Sequence, residues 1–184
     1  MKNVYRVDQF LLPNEIQAVN DAVFVSKQIM DDTNLGRIII GISLPDPVID
    51  AIQERTEKLL NKKLRPLSAS YAEYRLEYGQ PNLPPHFDGD NNDLIIDYQL
   101  NSNTSWGLGV DGELFEMNDN TAIIFNPNEY PHWRPRKEFQ EGEFIGVVFF
   151  RCPDYSWEEV DYSDKSLWQE DNAFDKARSL RDSL

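Results

Sequence analysis

His86-Phe87-Asp88, read together with His132, is the stretch that decides how the rest of the chain is read. The sequence has 184 residues and two histidines, and both histidines fall in this set. On a strand, residues two apart point to the same face, so His86 and Asp88 can reach one ion. His132 follows Tyr130-Pro131 and opens a strand in a β-rich half, which lets the chain return to the same sheet mouth. Two neutral imidazoles and a carboxylate on converging strands form a facial ligand set. Such a set suits a ferrous ion and leaves positions open for oxygen and a chelating co-substrate. His-x-Asp alone also fits ordinary loop histidines. A calcium loop fits less well. Asp88, Asp90 and Asn92 have the alternating oxygen spacing, but Asp93 stands where the loop needs glycine and Gln99 where it needs glutamate.

Around this stretch the pattern is one of short strands. In Glu73-Tyr74-Arg75-Leu76-Glu77-Tyr78 the apolar residues share one face and the charged residues the other. Residues 94–100, 113–117, 121–126, 130–136 and 143–151 follow as strand candidates. Asn101-Ser102-Asn103-Thr104 and Asn118-Asp119-Asn120 supply turn chemistry. Short strands so punctuated predict a mainly β fold with flanking helices, a double-sheet jelly roll or barrel. Before residue 66 the pattern is mostly helical, with a short strand over residues 4–10 and another over 37–42. Asn14 is the predicted N-cap of a first helix, with Gln17 three residues on. Ile16, Val19, Val23 and Ile29 are its apolar face. Asp46-Pro47 starts a second helix with Val48, Ile49, Ile52, Leu59 and Leu60 on one side. Both helices are expected on one outer face. Residues 153–184 form an acidic, aromatic tail with a final helix expected over 165–181. The whole reads as one domain over 1–184, with a helical part to about 65 and a β core over about 66–152.

Composition narrows the function classes. The net charge is −14, which repels phosphates and argues against nucleic acid as a partner. Neither a signal peptide nor a membrane-length apolar run stands out. The single cysteine, Cys152, fits a reducing compartment, so a cytoplasmic setting is expected. The one tight basic cluster, Arg134, Arg136 and Lys137, suggests an anionic small molecule nearby. No Gly-x-Ser-x-Gly and no phosphate-cradling glycine loop occurs.

At these residues the chain resembles the 2-oxoglutarate- and iron(II)-dependent dioxygenases, specifically their prolyl-4-hydroxylase-like branch. The opening residues 4–15 are similar to that branch's first strand and helix. Tyr74 to Gly79 resembles the strand before the metal motif, and Tyr98-Gln99-Leu100-Asn101 the Tyr-Leu-Asn strand end. Asp111-Gly112-Glu113-Leu114 is close to the Gly-Gly-x-Leu turn, and Ala122 to Phe125 to the strand before the distal histidine. The resemblance implies that His86, Asp88 and His132 bind Fe(II). It implies 2-oxoglutarate as co-substrate, with Tyr78 and Gln99 at pocket positions. It also implies hydroxylation of an unactivated C–H bond in a prolyl residue of a peptide or protein, or in a small metabolite.

The sequence departs from the family at one position. The family's last core strand carries a basic residue for the distal carboxylate of 2-oxoglutarate, and here Glu143 and Phe144 stand there. Arg134 shares a face with His132 and is the predicted replacement, bidentate to that carboxylate and oriented by Glu143. Arg75 is a second candidate. Trp106 and Trp133 are expected to flank the mouth, as groove or as core, and residues 31–36 and 79–85 are lid candidates. Two other readings fit the residues: a cupin-like metal enzyme that does not use 2-oxoglutarate, and a non-catalytic metal-binding or interaction module.

Overall fold

The strand Asn92–Ser102 shows how the molecule is layered. Ile96, Tyr98 and Leu100 point to one apolar cluster, and Ile95 points to another. Alternating residues therefore serve two cores on opposite faces of one sheet. The structure is a computed structural model, and it describes residues 3–26, 29–32, 35–88 and 92–153.

In chain order the elements are β1 (Tyr5–Asp8), α1 (Pro13–Val25), β2 (Ile29–Asp32), β3 (Arg37–Ile42), α2 (Asp46–Leu60), β4 (Ser68–Arg75) and β5 (Leu83–His86). Then follow β6 (Asn92–Ser102), β7 (Leu108–Val110), β8 (Glu113–Phe115), β9 (Thr121–Phe125), β10 (His132–Arg134) and β11 (Phe144–Pro153). They form two sheets, ordered β1-β9-β6-β11-β4-β3-β2 and β5-β10-β7-β8. Every pairing in both sheets is antiparallel. Two such sheets closing over a shared interior are a jelly roll, as the strand pattern predicts.

The helices cover the outer face of the larger sheet. Val19 and Ala22 of α1 and Ile52 of α2 join Ile96, Tyr98, Val148 and Phe150 in one cluster. α1 begins at Pro13 rather than after Asn14, because proline fixes a helical φ and has no N–H to leave unpaired. Glu15, not Gln17, completes the start, accepting the Leu12 N–H at 2.7 Å. Its other oxygen takes a 2.8 Å bond from Arg55, whose second amino group donates to the Phe10 carbonyl. This ties the two helices together beneath the sheet. α2 starts as predicted at Asp46-Pro47 and stops at Asn61, which takes a left-handed conformation at φ 49°.

Several expected boundaries move. Ile29 lies in β2, not in α1, and residues 31 and 32 are strand rather than turn. The N-terminal part is therefore not simply helical, since β1, β2 and β3 all join the larger sheet. β4 ends at Arg75, and Leu76–Tyr78 is a 3-10 turn. Tyr74, Leu76 and Tyr78 accordingly do not share a strand face: Tyr74 is fully buried and Leu76 is exposed. The lid candidate 79–85 runs into β5, and β7 is a short strand the pattern did not reveal. Asn101 and Ser102 complete β6 instead of turning. The expected tail helix over 165–181 lies outside the described residues.

Candidate metal centre

His86 ends β5, His132 begins β10, and the two are direct antiparallel partners. A directly opposed pair projects its side chains on one face at close range. Their rings lie 4.2 Å apart, centroid to centroid. Asp88 sits two residues past the strand end, held by its backbone N–H donating to the Pro127 carbonyl at 3.1 Å. One Asp88 oxygen, Oδ1, stands 3.5 Å from His86 Nε2 and 3.4 Å from His132 Nε2. All three potential ligand atoms lie within 4.8 Å of one another.

The ring tautomers follow from the other nitrogens. His86 Nδ1 is 2.8 Å from the Pro84 carbonyl, and His132 Nδ1 is 3.4 Å from that of Tyr130. A carbonyl only accepts, so Nδ1 carries the hydrogen in each ring. For neutral rings, two Nε2 lone pairs and a carboxylate then converge with no donor among them. A cation resolves that arrangement, and backbone carbonyls behind ligating imidazoles are the usual second layer of a metal site. Two imidazoles and one carboxylate fit a ferrous ion. Phe125 packs on the His132 ring at 5.1 Å and closes one side.

Behind the triad, a few buried polar side chains are set into the apolar inner cluster. Arg134 lies two residues beyond His132 on the same face of β10, and its side chain has no exposed surface. Nη2 donates to Asp97 Oδ1 at 3.1 Å and Nη1 to the Trp106 carbonyl at 2.9 Å. The Trp106 and Tyr74 rings lie 5.2 and 6.0 Å from the guanidinium carbon. Asp97 comes from the inner face of β6, close enough to interact electrostatically with His132 and Asp88 as well as with Arg134 and Arg37. Burial pushes its carboxyl upward, against the pull of those cations. Arg37, on β3, donates to the Tyr74 hydroxyl at 2.8 Å.

The orientation expected for Arg134 is corrected here. Glu143 does not reach it. Glu143 pairs with Lys137 at 3.3 Å and accepts from Thr104, and these contacts lower its carboxyl, the Thr104 bond most. Arg134, Arg136 and Lys137 line one cavity, although the Arg134 side chain points inward, Lys137 is tied to Glu143 and Arg136 is exposed. Gln99 is buried on the same inner face as Asp97. Its amide nitrogen donates to Ser102 and to the Met117 carbonyl, while Oε1 has no hydrogen-bond partner among the described residues. Tyr78 is not brought to the triad. Its hydroxyl contacts Glu73, 3.4 Å away, on the helix-facing side of β4 with Tyr71. Arg75 pairs with that same Glu73 and stacks on Phe144. Trp106 is interior, edge-on to Tyr74 and Phe139. Trp133 points away from the triad and lies across Gly109, where any Cβ would meet its ring. Asp97 and Arg37 had escaped the sequence reading. The signal for Asp97 was present as a charge at an inward position of the apolar run 94–100.

The fold and the triad together define a double-stranded β-helix with a candidate mononuclear metal set at its mouth. Solved structures of that class superpose on the chain. A prolyl hydroxylase from Trichoplax adhaerens, in complex with a peptide fragment of the hypoxia inducible factor oxygen degradation domain, matches with a TM-score of 0.59 and 12% identity, over 88% of this chain and 89% of that one. A Pseudomonas putida prolyl-4-hydroxylase matches with a TM-score of 0.57 and 13% identity, over 83% of this chain and 93% of that one. No family model and no curated protein matches the sequence. At this identity the likeness establishes a shared fold.

Proposed function

We propose that the chain is an iron(II)-dependent oxygenase that uses a 2-oxo acid, 2-oxoglutarate by analogy with the resemblance, to hydroxylate an unactivated C–H bond. The observation that carries the reading is the convergence of His86, Asp88 and His132 as three acceptors with no donor. Bound iron would supply the activation of dioxygen. One oxygen atom enters the substrate C–H bond and the other enters the 2-oxo acid, which leaves as carbon dioxide and the acid one carbon shorter, succinate in the case of 2-oxoglutarate. The protein's residues contribute position and exclusion. The Pro84 and Tyr130 carbonyls fix the imidazole tautomers, and Phe125 and Trp106 keep the adjacent interior dry. Arg134 and Gln99 offer polar atoms for the co-substrate's far end. Tyr78 enters the pocket only if the turn at 76–78 rearranges.

The substrate is proposed to be a prolyl residue of a peptide or protein, or a small metabolite; one fold neighbour is described in complex with a peptide. Nucleic acid is disfavoured by the net charge of −14. No described helix is long and apolar enough to cross a membrane. The buried free thiol of Cys152 supports a cytoplasmic setting.

Anaerobic loading with iron(II), followed by 2-oxoglutarate, tests the reading. A metal-to-ligand absorption band, and slow succinate release once oxygen is admitted, is the expected result. A second reading, a cupin-like metal enzyme that does not use 2-oxoglutarate, is favoured by one observation: the Arg134 charge is already met by Asp97. It predicts metal binding with no spectral response to any 2-oxo acid. A non-catalytic module predicts no turnover at all.

A further inference from the structure

We infer that Asp97 makes this a site for 2-oxo acids with an uncharged tail, rather than for a dicarboxylate. The inference rests on the oxygenase reading above and specifies its co-substrate. A 2-oxo acid chelating the triad through its carboxylate and keto oxygens must project its tail into the interior beside the metal. The polar side chains there come from the inner faces of β10 and β6: Arg134, Asp97 and Gln99. Arg134 is two residues from His132 along a strand, about 6.6 Å, which is close to the reach of a short tail.

At that depth the Arg134 charge is already paired. Arg134 and Asp97 are bonded at 3.1 Å, with their side chains 0% and 5% exposed. The carboxylate that would come from a dicarboxylic co-substrate is supplied by the protein's own Asp97. A second carboxylate would meet Asp97 at close range in a water-poor interior, where an uncompensated anion is costly. Of the other cations, Lys137 pairs with Glu143, and Arg37 donates to the Tyr74 hydroxyl from β3. Arg134 Nε, a donor, and Gln99 Oε1, an acceptor, have no hydrogen-bond partner among the described residues. They suit a neutral tail, aliphatic or bearing a hydroxyl or amide, and not a third charge. Glu143, just before β11, adds no positive charge to the interior either, for it pairs with Lys137.

The test compares two acids with the same five-carbon chain, 2-oxopentanoate and 2-oxoglutarate. Each is titrated anaerobically into the iron(II)-loaded protein, and its dissociation constant is read from the absorption change, without turnover. 2-Oxopentanoate is expected to bind about tenfold more tightly to the wild type. Asp97→Asn, which keeps the shape and an acceptor oxygen but frees the Arg134 charge, should reverse the order. Tighter or equal binding of 2-oxoglutarate by the wild type overturns the inference and leaves the oxygenase reading intact. So does an unchanged preference in a folded Asp97→Asn protein. Iron uptake with no response to either acid overturns both. If the variant does not fold, the wild-type ratio decides alone.

Discussion

The two faces of β6 carry the same backbone and opposite contents. Toward the helices it presents Ile96, Tyr98 and Leu100, packed with Val19, Ile52 and Phe150. Toward the interior it presents Ile95, then Asp97 and Gln99, with Arg134 and His132 near them. The buried carboxylate on the helix side, Glu15, is used for architecture. It caps α1 and ties down α2 through Arg55. The buried carboxylate on the inner side joins no two elements through the backbone. It neutralises an arginine beside a metal set. Among the described residues, Arg134 Nε and Gln99 Oε1 on the inner face have no hydrogen-bond partner, and neither does the Tyr98 hydroxyl on the helix side, so the contrast rests on where the two carboxylates are used.

Mutations can break this contrast. The largest stability effect is expected from Arg134→Met, which strands Asp97 in the interior. Urea denaturation should show a loss of about 3–5 kcal/mol. The double change Asp97→Leu with Arg134→Met should cost clearly less than the sum of the single changes, because the stranded charge goes with its partner. Simple additivity would mean the pair is not coupled. On the outer face, Ile52→Ala removes a side chain with no exposed surface and should cost about 2–5 kcal/mol. Unlike Arg134→Met, it should leave the tail preference among 2-oxo acids unchanged. A shift in that preference would show that the two faces are not independent. Glu15→Ala should cost about 1–2 kcal/mol through the lost cap, again with metal affinity unaltered. The smallest effect sharpens the helix-side picture. Cys152 is buried, and burial raises its thiol, so alkylation by iodoacetamide at neutral pH should be slow until the protein is unfolded. Rapid labelling of the native protein would contradict that packing.

What was legible in the sequence follows from range. The triad could be read because its parts are local signals, His-x-Asp at one strand end and a histidine opening another, and the pairing of His86 with His132 then needs only the jelly-roll return. Helix α2 could be read because Asp46-Pro47 and the period of Val48, Ile49 and Ile52 are local too. Arg134 was recognisable as inward by its spacing from His132, but its partner was not. Asp97 lies on β6 and Glu143 just before β11, both acidic, and only the closed fold decides which one meets the guanidinium. Tyr78 misled because alternation from Tyr74 presumes a continuous strand, and the chain instead turns at Leu76, ending with Gly79 at φ 108°.

The central claim is that His86, Asp88 and His132 hold one metal ion. With only two histidines in the chain, nitrogen-15 NMR of the imidazole rings during anaerobic iron(II) titration reads it directly. Before metal, both rings should report hydrogen on Nδ1. The signals of both should broaden together and be lost by one equivalent of iron, while in Asp88→Ala they should persist well beyond it. Independent behaviour of the two rings, or an undiminished response in Asp88→Ala, would contradict the account.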